Sequence, residues 1–211
     1  MKKFILGTKI GMTQIFAADG TCTPVTVVQA GPCAVVQKKT EETDGYSAVR
    51  LGYGETELKK LNKPERGVFE KLDMKKGYRF VKEFKPENVA DYEVGQEITV
   101  GTMFADGDSV DVRGTSKGKG YAGTIKRYGN KIGPITHGSK YHRGLGSMGP
   151  NTDPGRVMPG KHMPGHMGSD TVTVQNLTVM KVDSERGLLL IKGAVPGPKG
   201  ALLEIAESVK A

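Results

Sequence analysis

The chain has few of the residues that stabilise small secreted proteins or anchor proteins in membranes. Its 211 residues include no tryptophan, two cysteines and an aromatic fraction of 6%. Cys22 and Cys33 lack the Cys-x-x-Cys spacing, so we interpret them as free thiols of a cytosolic protein rather than a disulfide. No apolar run approaches the roughly 20 residues that span a bilayer, and the opening apolar run stops at Gly7, too short for a secretion signal. These absences exclude a disulfide scaffold and a helical membrane protein.

Acidic side chains are nearly absent from one quarter of the chain. Residues 113–168, called the basic segment below, contain ten lysines and arginines but a single acid, Asp153. The basic segment therefore has a net charge of +9, whereas the remainder sums to −1 and the whole chain to +8. A charge of this sign indicates a polyanionic partner, either a nucleic acid or an acidic membrane surface.

The basic segment also has little apolar periodicity. It holds 14 of the 30 glycines, 5 of the 11 prolines and all 4 histidines. Glycine and proline at this density interrupt helices and strands, so burial cannot offset a backbone ordering cost of roughly 1–2 kcal/mol per residue. We therefore expect the segment to be mobile alone and to be ordered by a partner. Glycine lets the backbone approach a ligand, and the spaced cations can each meet a phosphate.

Short β-branched runs with turn residues between them flank the basic segment on both sides. We predict strands at 23–29, 33–38, 46–51, 97–100, 109–112, 171–175, 177–182, 187–192 and 201–205. The first two are expected to pair about a tight turn at 30–32. This spacing is typical of a sandwich or a barrel. The simplest arrangement is one β domain built from 1–112 and 169–211 that projects the basic segment.

Residues 53–95 have a mixed, charged composition that differs from the β-rich flanks. We interpret them as a peripheral insertion. Within it, Pro64 and the acidic residue that follows predict a helix over 63–72, because proline and acids favour the first helical turn.

Two patterns in the basic segment could indicate chemistry other than nucleic-acid binding. Gly118–Gly123 fits G-x-G-x-x-G, but residues 124–128 are too few for the required helix, and no acid follows at about 20 residues. Ser139 lies near two histidines, but it has no orienting acid. We therefore predict no cofactor, no catalytic residues and no enzymatic activity.

The four histidines occur as two pairs, His137 with His142 and His162 with His166. No cysteine or acid cluster accompanies either pair, and Pro164 breaks the helix that the second spacing would need, so we predict no metal site. We interpret the histidines as groups that stack on bases or sugars or contact phosphate. The methionines of this segment follow no helical period, which favours contact with RNA or a neighbouring protein over a core role.

Motifs along nearly the whole chain resemble one family. They lie at 5–16, 114–120, 137–143, 154–157, 165–168, 172–177 and 192–197. In this order they are similar to large-subunit ribosomal protein three, the universal L-three family, and the chain length suits its bacterial branch.

The resemblance implies a mainly β fold with a small six-stranded barrel of the kind found in translation factors. The peripheral α/β insertion and the long basic extension complete this fold. It also implies a structural role in the large subunit of the cytoplasmic ribosome, with ribosomal RNA and neighbouring ribosomal proteins as partners and no membrane or small-molecule substrate. Relatives bind near the 3′ region of the RNA early in assembly, and their extension runs toward the peptidyl-transferase centre.

Fourteen side chains are the predicted RNA contacts. They are Arg113, Lys117, Lys119, Lys126, Arg127, Lys131, His137, Lys140, His142, Arg143, Arg156, Lys161, His162 and His166. The predicted tip of the extension is Gly146, Ser147, Met148, Gly149, Pro150 and Asn151. Many bacterial relatives carry a glutamine, methylated in some of them, where this chain has Pro150, so that modification is impossible here.

Two alternatives from other classes remain open at this point. One is a free translation-factor-like or nucleotide-binding enzyme that uses the barrel. The other is a basic module for anionic membrane surfaces, which would need an amphipathic helix that the basic segment lacks.

Overall fold

The computed structural model describes residues 3–72, 74 and 76–210 and shows a mainly β protein. The strands are β1 Phe4–Phe16, β2 Cys22–Ala30, β3 Cys33–Lys39, β4 Ala48–Thr56, β5 Gly77–Phe84, β6 Glu97–Ile98, β7 Ser109–Thr115, β8 Tyr121–Ala122, β9 Gly165–His166, β10 Thr171–Asp183, β11 Leu188–Lys192 and β12 Leu202–Glu207. The helices are α1 Glu41–Asp44, α2 Lys63–Glu70, α3 Val100–Met103 and α4 Thr124–Tyr128, and a 3₁₀ turn spans Leu58–Lys60.

Six antiparallel strands close into a barrel in the order β1-β12-β7-β10-β11-β2. Three strands that precede the basic segment (β1, β2 and β7) and three that follow it (β10, β11 and β12) form this barrel, which confirms the predicted six-stranded barrel. The inward-facing positions follow the two-residue period of a strand. Leu189 and Ile191 on β11, like Leu203 and Ile205 on β12, are fully buried and point into the barrel core.

A second, four-stranded sheet with the order β5-β4-β3-β6 packs against the barrel. The Phe4 ring of β1 stacks on the Phe84 ring of β5 with centroids 4.8 Å apart, so both sheets share one core. This sheet begins at β3 and ends at β6, and it therefore extends beyond the predicted 53–95 insertion on both sides. Residues 73 and 75 of that range lie outside the described residues.

The predicted pairing of the first two strands about a tight turn is wrong. The strands occur as β2 and β3, but β2 pairs with β1 and β11 in the barrel whereas β3 pairs with β4 and β6 in the second sheet. The chain changes sheets at Gly31, which has φ +67°. A Cβ there would lie 3.1 Å from Ile5 Cδ1, so the crossing position favours glycine.

The strand after the basic segment also differs from its prediction. The predicted strands 171–175 and 177–182 form one continuous strand, β10, whose register on β7 shifts between Val174 and Leu177. At the shift, Asn176 adopts φ +55° and its N–H donates to Asp111 Oδ1 at 2.9 Å. The polar residues there mark a β-bulge rather than a turn, because a bulge interrupts the alternation without ending the strand.

Other elements have different bounds from those predicted, and some strands were not predicted. The predicted strand 97–100 is only β6, and Val100 already begins α3. Strands β1 and β5 were not predicted, because glycine and lysine interrupt the apolar pattern of β1 and charged residues that of β5. The predicted helix is confirmed as α2, which begins at Lys63 and ends at Glu70 and buries Phe69 against Tyr78, with centroids 5.9 Å apart.

The chain divides into two compact units, residues 1–115 with 171–211, and residues 116–170. The first holds the barrel and the second sheet. Strand β7 runs past the predicted limit of 112 to Thr115, whereas β10 begins at Thr171, after the predicted limit of 169. Thr115 is the pairing partner of Thr171. The second unit, called the arm below, therefore begins directly after one of two paired residues and ends directly before the other.

Gly7 is a position on β1 where a side chain does not fit. A Cβ would lie 2.8 Å from both Gln29 O and Val28 Cγ1 in the neighbouring strand. We expect Gly7→Ala to lower the free energy of unfolding by about 1–3 kcal/mol through overpacking, as measured by urea denaturation. Gly67→Ala is the control, because α2 is helical there and nothing lies within 4 Å; it should raise that free energy by about 0.5–1 kcal/mol. Equal effects of the two substitutions would contradict the packing argument.

The pairing of Thr115 with Thr171 predicts that the arm can be removed without opening the barrel. Replacing residues 116–170 with Asn-Gly should join β7 to β10 as a hairpin, because this dipeptide suits a two-residue turn. We expect cooperative thermal unfolding and a β-type circular dichroism spectrum to persist. A larger deletion of residues 109–177, which removes β7, is the control and should abolish cooperative unfolding. A noncooperative 116–170 deletion would show that the barrel depends on the arm.

Candidate nucleic-acid interface

The arm has almost no core of its own. Of its 55 residues, only Ala122, Thr124 and Gly168 are buried. Its regular structure is the two-stranded β8–β9 ribbon and the five-residue helix α4. Apolar burial therefore contributes little to its conformation, which rests on backbone hydrogen bonds and a few side-chain contacts.

Where the arm begins and ends, its two chain segments run antiparallel and hydrogen-bonded. The N–H of Ser116 donates to the carbonyl of Asp170 at 2.9 Å, and that of Lys119 donates to the carbonyl of Met167 at 2.9 Å. Gly168, with φ +79°, makes this approach possible, because a Cβ there would lie 2.3 Å from Lys117 O. Glycine thus brings the two segments close, and the lysine side chains remain exposed.

Helix α4 is held to the returning segment by Arg127 and Tyr128. Arg127 Nη1 donates to the carbonyl of Met163 at 2.9 Å, and a Cβ at Gly165 would lie 2.6 Å from the same nitrogen. The rings of Tyr128 and His162 stack with centroids 4.0 Å apart and an interplanar angle of 5°. Arg127 is therefore half-buried and partly committed to the arm itself.

The middle of the arm is organised around Tyr141 and His142. His142 Nδ1 lies 2.9 Å from the Pro134 carbonyl, to which it can only donate, so the neutral ring exposes Nε2 as an acceptor. The N–H of Gly133 donates to the His142 carbonyl at 2.8 Å. A Cβ at Gly144 would lie 2.2 Å from Tyr141 Cε2, so glycine allows the backbone to lie against that ring.

The predicted tip is an exposed turn. Gly146 has φ +83°, and Ser147 Oγ donates to the Gly149 carbonyl at 3.0 Å. A shallow depression of about 280 Å³ lies here, lined by Met148, Gly149, Asn151, Gly155, Arg156 and Val157. Pro150 is exposed beside it. The tip therefore presents apolar and backbone atoms next to one arginine.

The arm's lysine and arginine side chains are exposed to solvent rather than held in ion pairs with acids. Of the fourteen predicted contacts, all are exposed except the half-buried Arg127. Among the described residues, none of the arm's nine lysines and arginines forms an ion pair with an acid. Arg113 differs, because it lies on β7 and its Nη1 is 3.8 Å from Glu204 Oε2. Thirteen of the fourteen thus lie on the arm and one on the barrel.

The prediction from sequence omitted the arm's aromatic residues. Tyr121, Tyr128 and Tyr141 are exposed and lie beside Lys119, Arg127 and Arg143 in the sequence. Interleaved aromatic and basic residues are the pattern that could have identified them, since aromatic rings stack on bases where cations meet phosphates.

Other chemistry has no assembled site in the part of the chain that the structure describes. There, no three histidine, cysteine, aspartate or glutamate residues lie close enough to hold a metal ion. Helix α4, which follows the G-x-G-x-x-G pattern, has five residues and ends at Tyr128, directly before Gly129. No helix within the described ranges has the length and apolarity needed to cross a membrane.

Comparison with known proteins identifies the family. The profile described as ribosomal protein L3 matches residues 57–189. The chain belongs to the ribosomal protein L3 family. It is 59% identical over 211 residues to the large ribosomal subunit protein uL3 of Acetivibrio thermocellus, covering 100% of this chain and 99% of the relative. The proteins of the same name from Carboxydothermus hydrogenoformans and Heliobacterium modesticaldum are each 56% identical over 210 residues, again at 100% and 99% coverage.

Membership of the ribosomal protein L3 family confirms the resemblance found in the sequence and its bacterial type. The family is a structural, non-enzymatic component of the ribosome, and so this chain is a structural ribosomal constituent rather than an enzyme. As a ribosomal protein it binds ribosomal RNA and neighbouring ribosomal proteins.

Proposed function

We propose that the arm, together with Arg113, is the RNA-penetrating extension of a large-subunit protein in the cytoplasmic ribosome. One observation carries this proposal: nine lysines and arginines lie on a unit with three buried residues and no ion pair to a described acid. Exposed cations on a coreless unit repel one another until an anionic partner neutralises them. The regular negative charge of RNA meets that requirement along the whole arm.

The mechanism has two parts. The barrel and its second sheet form a rigid body with a continuous core, which docks on folded RNA near the 3′ region of the large-subunit RNA early in assembly. The arm then takes its final conformation as its cations neutralise phosphates, so its ordering is coupled to binding. Recognition by this route depends on RNA shape more than on base sequence, because phosphate contacts carry no sequence information.

The tip, residues 146–151, is proposed to approach the peptidyl-transferase centre. Its exposed turn, small residues and single neighbouring arginine suit a narrow space between RNA strands, where bulky side chains would clash. Pro150 supplies a fixed φ and no N–H donor, so contacts here differ from those of relatives with glutamine. The tip contributes shape and positioning, and no group there is arranged for catalysis.

Removing charge from the arm should weaken RNA binding more than removing the same charge elsewhere. We compare Lys140→Gln, Arg143→Gln and Arg156→Gln combined with Lys59→Gln, Lys60→Gln and Lys63→Gln combined; each triple variant lowers the net charge from +8 to +5. Binding to transcribed large-subunit RNA of Acetivibrio thermocellus is measured by filter binding over a salt series. For the arm variant, the slope of log K against log salt should become shallower by about two to three. The variant loses three phosphate contacts, and its binding therefore releases fewer counterions from the RNA.

The second triple variant controls for net charge and should keep the slope of the wild type. Equal loss of slope in both triple variants would mean that total charge, and not the arm, determines binding. A flat salt dependence of the wild-type protein would contradict the proposal as a whole.

The path of the arm is tested inside the assembled particle. A photoreactive amino acid is placed at Met148 in the tip or, as the control, at Leu58 beside the second sheet, and large subunits containing each variant are purified and irradiated. We expect the tip position to crosslink to RNA at the peptidyl-transferase centre and the control position to give no such product. Crosslinks from Met148 to RNA on the solvent side alone would overturn the proposed path.

A further inference from the structure

The three tyrosines of the arm differ in what their rings contact. Tyr128 stacks on His162, and Tyr141 lies against the backbone at Gly133 and Gly144. Tyr121 is 78% exposed, and among the described residues no ring, hydrogen-bond or cation contact of its side chain is found. A large aromatic ring left in water contributes nothing to the stability of the arm.

The surroundings of Tyr121 leave most of its ring exposed to solvent. Apart from their own chain neighbours, the nearby Gly120 and Gly123 have no atom within 4 Å of the position where a Cβ would stand. Tyr121 lies on β8 directly opposite His166 on β9, so the two side chains share one face of the ribbon. His166 is also exposed, which places two adjacent planar rings on a backbone fixed by antiparallel pairing.

The charge around this face points to the kind of partner. Exposed Lys117 and Lys119 lie four and two residues before Tyr121, and none of residues 116–122 is acidic. An aromatic ring on a β-ribbon beside lysines is the arrangement on which proteins stack unpaired bases while cations hold the backbone. A base-paired duplex cannot use such a ring, because its base faces are already stacked on one another.

We propose that Tyr121, flanked by His166, is a stacking site for one unpaired RNA base. This inference rests on the proposed function of the arm as an RNA-binding unit and adds a second kind of contact to its phosphate contacts. A base lies on the exposed face of the phenol ring, His166 borders it, and Lys119 meets a neighbouring phosphate. The arm thus prefers RNA with an extruded or looped base at this point over a continuous helix.

The test uses the full chain and a single-stranded RNA of about 12 nucleotides with a central 2-aminopurine, a size within the range that one binding module covers. Stacking on Tyr121 should quench the fluorescence of the probe in the wild type and in Tyr121→Phe, which keeps the ring. Tyr121→Leu should abolish the quenching and weaken binding about fivefold to a hundredfold. The salt slope of Tyr121→Leu should equal that of the wild type, since no phosphate contact is lost.

Three controls separate stacking from general effects. Ile135 is also 78% exposed on the arm but carries no ring, so Ile135→Ala should leave both quenching and affinity unchanged. A duplex of the same sequence should bind wild type and Tyr121→Leu equally. Thermal unfolding of Tyr121→Leu is expected to match the wild type, because the side chain that it replaces is largely in solvent.

Each other result contradicts a defined part of the argument. Salt-dependent binding by the wild type with quenching retained in Tyr121→Leu would overturn the stacking site and leave the arm's RNA binding intact. An equal loss of affinity on the duplex would also overturn it, because the effect would then not be on an unpaired base. If the wild type bound neither the single-stranded probe, nor the duplex, nor ribosomal RNA, the proposed function itself would be overturned.

Discussion

The antiparallel pairing of β7 with β10 is the interaction on which the rest of this structure depends. Each of these strands also pairs on its other edge with a strand from the C-terminal part of the chain, β7 with β12 and β10 with β11. Because Thr115 and Thr171 are partners, the 55 residues between them enter and leave at adjacent positions. The barrel therefore closes through its own hydrogen bonds, and the residues between the two strands do not need to fill its core.

Because the arm does not fill the core, its charge can differ from that of the barrel and second sheet. The barrel and second sheet carry nearly balanced charges, many of them in ion pairs such as Lys3 with Asp108 and Lys82 with Glu204. The arm carries cations with only two acids, Asp153 and Asp170. Balanced charge suits a unit that folds by burial, whereas cationic excess destabilises a compact state and suits a unit completed by an anion. Glycine lets two backbone segments of the arm lie close together, as at Gly168, and it adds no side chain that would cover the cations.

Local patterns predicted some features of this protein well. The β-branched runs located most barrel strands, and Pro64 located α2, because these signals act within a few residues. The assignment of strands to sheets could not be predicted in the same way. β2 and β3 are separated by two residues yet lie in different sheets, and this depends on where β11 and β4 offer pairing edges. β1 was missed because Gly7 breaks its apolar run, although Gly7 is required by the nearby Gln29 carbonyl.

By itself, the sequence determined the cationic, glycine-rich character of residues 113–168, the lack of a core there, the β frame on either side and the family resemblance. All of these depend on composition and order along the chain. Only the tertiary structure decided that β10 is continuous through a bulge at Asn176, that Arg127 is held by Met163, and that the Tyr128 ring stacks on His162 whereas the Tyr121 ring lies largely in solvent. Exposure and pairing are relations between residues distant in sequence, and they arise only once the backbone has brought those residues together.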